Sequence, residues 1–150
     1  MNQSNCPEEN QMQLVQSGLF AFIEETLATA RERLAQIAGY SEALEEGLRR
    51  CSASTWRGEK EESARLLAGL SVSARQIGVA VSSLTRLEDE MALFCLAFDL
   101  LDGESAGACA EAQEEVQQAV ALGRVAMKRG TAIVAAAELV RNRFISLMPS

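Results

Sequence analysis

Apolar and small residues recur along most of this chain at steps that alternate three and four. In the first stretch they are Phe20, Ile23, Leu27, Ala30, Leu34, Ile37, Leu44, Leu48 and Cys51, with Ser41 in the one empty place. In the second they are Leu66, Leu70, Ser73, Ile77, Ala80, Leu84, Leu87, Met91, Phe94, Phe98 and Leu101. In the third they are Cys109, Ala112, Val116, Ala119, Gly123, Ala126, Gly130, Ile133, Ala137, Val140, Phe144 and Leu147. This spacing keeps a heptad seam on one face of a helix. It predicts three helices, over about 13–52, 59–101 and 105–147, each roughly 60 Å long at 1.5 Å per residue. The first seam runs through Gly39-Tyr40, so one long helix bent at Gly39 is expected, with two shorter helices split there as the alternative. Short connections make consecutive helices antiparallel. The expected fold is all-α, an elongated antiparallel bundle of three long helices with coiled-coil-like packing, or of four if the first breaks at Gly39. Residues 1–10 read as a disordered tail and 11–150 as a single bundle domain.

Composition agrees with this pattern. The two prolines are Pro7 and Pro149, so no ring interrupts a helix between them. Aromatic residues make up 5% of the chain, low for a sheet protein. The third seam differs from the other two. Gly123, Gly130 and Ala137 stand seven apart on one stripe. A glycine inside a helix costs about 1 kcal/mol against alanine, so a packing reason is expected, namely close approach of two backbones. Beside them Val120, Met127 and Val134 widen the apolar face until it can touch two neighbours. Gly123, Met127, Gly130, Val134 and Ala137 are therefore candidate interaction residues. Their use would be self-association, as a homodimer, or capture of an amphipathic partner helix.

Charge and chemistry narrow the function. The formal charge is −7, from 14 basic and 21 acidic residues, which disfavours a nucleic-acid partner. The basic group Arg124, Lys128, Arg129, Arg141 and Arg143 follows the acidic group Glu104, Glu111, Glu114 and Glu115 in the third helix, an order that complements the helix dipole. With no histidine, Glu-x-x-His metal sites and Ser–His or Cys–His nucleophile pairs are closed. Cys6, Cys51, Cys95 and Cys109 have neither CxxC spacing nor the look of a disulfide framework. Free thiols are expected, with Cys51 and Cys95 as small buried residues. Adjacent carboxylates such as Glu45-Glu46 diverge on a helix and read as solvated. The stretch from Gly103 to Gly107 lacks the lysine and preceding strand of a phosphate loop. No catalytic, cofactor-binding or metal-binding residue is assigned, and no enzyme activity is expected. Residues 1–13 are polar and acidic, unlike a secretory signal. The most apolar segment, Thr131 to Val140, falls short of the roughly 20 residues of a transmembrane helix. A cytoplasmic location is expected.

Ser52 to Gly58 reads as the first linker and holds the single tryptophan. Trp56 there would cap the end of the core, and Ser54 or Thr55 would cap the second helix. Trp56-Arg57-Gly58 between two long helices, with Glu62-Ser63-Ala64-Arg65-Leu66-Leu67 downstream, resembles the WXG-type small helical proteins exported by type VII secretion systems. The resemblance covers residues 14–101. It implies a helical hairpin with Trp56 and Gly58 at its middle, and export by a route that needs no signal peptide. That family's Tyr-x-x-x-acid export signal has its nearest match in Phe98-Asp99-Leu100-Leu101-Asp102, with Phe in place of Tyr. The third helix and the cysteines also depart from the family's compact hairpin. Three functional readings follow. The first is a non-enzymatic interaction protein: an adaptor, chaperone or assembly subunit. The second is an exported WXG-type substrate. The third is a small-molecule sensor with an apolar ligand near Met91, Phe94 and Phe98.

Overall fold

The structure is a computed structural model that describes residues 7–101 and 106–148. It consists of three helices, α1 (Pro7–Trp56), α2 (Lys60–Leu101) and α3 (Ala106–Phe144), and a closing 3₁₀ turn at Ile145–Leu147. No strand occurs among the described residues. The architecture is the all-α three-helix bundle that the seams predict.

α1 starts earlier than the seam indicates. Pro7 opens it, because a fixed φ and a missing N–H suit the first helical position. Residues 7–10, read from sequence as tail, are therefore helical, and 1–6 lie outside the described residues. α1 also passes through Gly39 without a break. Apolar residues on either side of Gly39 keep one face against the same neighbours, which outweighs the glycine's low helix propensity.

The first turn is shorter than Ser52–Gly58. α1 continues to Trp56, and Gly58 takes a φ of 74°. The Gly58 N–H donates to the Thr55 carbonyl and the Glu59 N–H to the Ser54 carbonyl, each at 3.0 Å. This pair of bonds is a Schellman motif, and its left-handed position is where glycine carries no Cβ penalty. Ser54 and Thr55 accordingly lie buried in the last turn of α1 and do not cap α2. Glu59 occupies that place, with its carbonyl accepting the first helical bond from Ser63 at 2.9 Å. The second connection, around residues 102–105, lies outside the described residues.

Facing pairs fix the topology. The bidentate pair Arg31–Glu115 and the pair Arg129–Glu45, in which Nε and Nη2 both donate to Oε1, each join residues 84 apart, so α1 and α3 run parallel and in register. α2 runs the other way. Phe22 near the start of α1 stacks on Phe94 near the end of α2, while Cys51 near the end of α1 donates to the Ser63 carbonyl at 3.5 Å. Up-down-up order follows.

The core is the set of seams turned inward. Leu70, Ile77, Leu84 and Met91 of α2 meet Ile37, Leu44 and Cys51 of α1 and Cys109, Val116, Ile133 and Ala137 of α3, all buried. Three seam assignments change. Leu19 is fully buried and Phe20 is 50% exposed, so the α1 seam runs through Leu19, Ile23, Thr26 and Ala30 at its start. Phe144 and Leu147 are exposed at the far end. The side chain of Leu101 lies outside the described residues. The longest apolar stretch is also not Thr131 to Val140. α2 is long and apolar enough to cross a membrane by length and composition alone, and in this structure it packs between α1 and α3.

Candidate functional site

The residues singled out from sequence divide into three groups. Gly123, Gly130 and Ala137 are buried inside the bundle. A Cβ on Gly123 would stand 3.0 Å from Val81 Cγ2 and 3.3 Å from Ile37 Cδ1, and one on Gly130 would stand 3.1 Å from Leu44 Cδ1. The small stripe of α3 thus admits the large side chains of α1 and α2. Its close packing is within the chain, and these three residues offer no surface to a partner. Met127 and Val134 lie on the flank of that stripe. Met127 is 38% exposed, and Val134 is half-buried in a groove of about 280 Å³ shared with Ser71, Ala74, Thr131, Ala135 and Glu138. Trp56 and Gly58 are at one end of the bundle.

Trp56 does not cap the core. It is 83% exposed and meets Phe144 edge to face, with ring centroids 6.3 Å apart. With Thr55, Gly58, Leu147 and Met148 these rings border a hollow of about 230 Å³. Polar bonds tie the same end together. Arg141 Nε donates to Ser63 Oγ at 3.0 Å, and Ser63 Oγ donates in turn to the Lys60 carbonyl at 2.9 Å. Of the five basic residues of α3, Arg141 is engaged there and Arg129 with Glu45. Both serve as ties between helices.

At the other end Met91 and Phe98 are buried, and Phe94 lies between Phe22 and Phe98 with centroids at 4.0 and 5.0 Å. The hollow beside them, about 380 Å³, is a surface groove bordered by Phe22, Glu90, Leu93, Phe94 and Ala97. Of the stretch from Phe98 to Asp102, Phe98 faces the core and Asp102 lies outside the described residues.

The described cysteines are buried free thiols. Cys51 sits at the Trp56 end and Cys95 beside Cys109 at the other, so one ion could not gather all of them; Cys6 lies outside the described residues. Burial, with Cys109 alongside, pushes the Cys95 thiol up to about 12, and burial also raises Cys51. Such thiols stay protonated near neutral pH, which makes them poor nucleophiles and poor ligands. Among the described residues no three or more His, Cys, Asp or Glu side chains gather as a metal site.

Sequence reasoning missed the outward faces. Val72, Val79, Leu93, Leu96 and Leu100 of α2 are exposed, as are Leu122, Val125 and Leu139 of α3. Both sets repeat at combinations of three and four residues, out of phase with the core seams. That second phase was the available signal. No family model matches this chain, and no curated protein or solved structure matches it either.

Proposed function

We propose that this chain is a non-enzymatic helical interaction protein, an adaptor, chaperone or assembly subunit that holds partner helices. The observation that carries the reading is the second apolar phase on α2 and α3. These side chains contribute nothing to the bundle core, yet they keep the spacing that a facing helix would read. Single exposed apolar residues are ordinary on any surface, but a repeated row is not. The hollows beside the rows are open grooves, which suit a docked helix better than an enclosed small ligand. The test is affinity capture from native lysate with the intact chain and with a Leu122→Glu, Val125→Glu, Leu139→Glu variant. A specific partner held by the first and lost by the second supports the proposal. Equal recovery by both, or none by either, counts against this use of α3.

A second reading, export as a WXG-type substrate, is favoured by Trp56. A tryptophan left 83% exposed at a hairpin turn is available for recognition. Appearance of the protein in culture medium, abolished by Trp56→Ala, would support export. A protein confined to cells would refute it.

A further inference from the structure

α2 has two apolar faces, and the bundle uses one. α1 packs on one flank of α2, where Arg33 Nε donates to Ser83 Oγ at 3.1 Å and Phe22 stacks on Phe94. α3 packs on the other, where Gly130 lies against Ala74 and Gly123 against Val81. The side opposite both carries Val72, Val79, Leu93, Leu96 and Leu100. Ala68, Arg75, Ser82, Arg86 and Asp89 fill the intervening places of the same three-and-four series, and all are exposed.

Past the first turn, charge on this helix is segregated. From Ser63 to Arg86 the charged residues are Arg65, Arg75 and Arg86; from Leu87 to Leu100 they are Glu88, Asp89, Glu90 and Asp99. Glu61 and Glu62 in the first turn already complement the helix dipole, and Arg75 and Arg86 lie beyond its reach, so the dipole does not account for the segregation. Nor do ties within the bundle: among the described residues no ion pair engages Arg75, Arg86, Asp89 or Glu90. Gly69 and Gly78 add a third oddity. Each lowers helix propensity, yet beyond the local helix backbone nothing in the chain lies within 4 Å of the Cβ either would carry.

We propose that this face pairs with α2 of a second copy, antiparallel, about a twofold axis near Ser82. The proposal deepens the interaction reading above and rests on it, naming one partner for one face. Antiparallel pairing sets Arg75 opposite Asp89 and Glu90 of the partner subunit, whereas parallel pairing would set each charge against its own like. The same register lays large side chains over small ones, Leu93 over Val72 and Leu96 over Ala68. It also places Arg86 over the open ground at Gly78. The axis that matches the charges falls within two residues of the middle of the Ala68–Leu100 series, so most of the face is paired and Leu100 lies past its end.

Sedimentation equilibrium and light scattering on the full chain test the proposal, with circular dichroism to show that each variant stays folded. The wild type is expected to be a dimer. Arg75→Glu and Asp89→Arg are each expected to weaken it at least tenfold, and the two together to restore it, since only antiparallel pairing regains opposite charges. Under mild oxidation Ser82→Cys is expected to give a covalent dimer, and Gln117→Cys on α3 is not. A monomeric wild type overturns the proposal, as does a dimer indifferent to both charge reversals or a double variant that stays monomeric. If that monomer still captures a partner through Leu122, Val125 and Leu139, only the self-pairing fails; if it captures nothing, the interaction reading fails with it. A monomer that floats with phosphatidylcholine–phosphatidylglycerol vesicles also overturns it, because lipid then covers the face.

Discussion

An added methyl group meets very different surroundings at different helical glycines. At Gly39 nothing beyond the local helix backbone lies within 4 Å of an added Cβ, so alanine there gains helix propensity at no packing cost. Gly39→Ala is expected to raise stability by about 0.5–1 kcal/mol in urea unfolding. At Gly123 the new Cβ presses on Val81, Ile37 and Leu84, and a larger side chain must displace them. Gly123→Val is expected to lower stability by about 1–3 kcal/mol in the same assay. Cys95 supplies a prediction in pH. Its thiol moves from an ordinary 9.0 to about 12 on folding. Below pH 9 the folded and unfolded chains both keep the proton. Above it the unfolded chain loses the proton while the folded chain holds it, so stability falls between pH 9 and about 12. Cys95→Ala is expected to flatten that slope in thermal melts across the range. Legibility at this scale was uneven. Phe20 and Leu19 both complete a three-and-four series with Ile23 and Ala30. Only the wider face of α1, with buried Thr26 in the row, decides for Leu19.

At the scale of elements, periodicity located the helices and turn chemistry placed their ends. α2 was legible almost to the residue, because Glu61 and Glu62 mark its first turn and its seam is unbroken. The end of α1 was not, because Ser52 to Thr55 look like linker residues. In fact Ser54 and Thr55 are buried where three helix ends converge. Gly58 was the signal that mattered, and its role is conformational. Gly58→Ala is expected to cost about 1–2 kcal/mol, since an L side chain resists a φ of 74°. Calorimetry checks this against Gly69→Ala, where the helical backbone is ordinary and the space is open. A loss at Gly58 with none at Gly69 would assign the cost to the turn.

Over the whole molecule, one helix register faces inward and another outward, and only the first was read from sequence. The reason is physical. A long three-helix bundle gives each helix two neighbours and leaves a third side bare, while a seam search stops at the first phase that fits. Sorting α2 and α3 into inner and outer rows predicts opposite consequences for similar substitutions. Leu84 is fully buried and would contact a Cβ on Gly123, where all three helices converge. Leu84→Ala leaves a cavity there and is expected to cost about 2–5 kcal/mol. For a domain of this size that lowers Tm by roughly 10 °C. Val125 is 67% exposed on the outer row of α3. Val125→Ala removes apolar surface from water and adds helix propensity, so its expected change is within about 0.5 kcal/mol. If the two variants melted alike, the division into inner and outer rows would be wrong, and with it the argument that the outer rows are free to hold another helix.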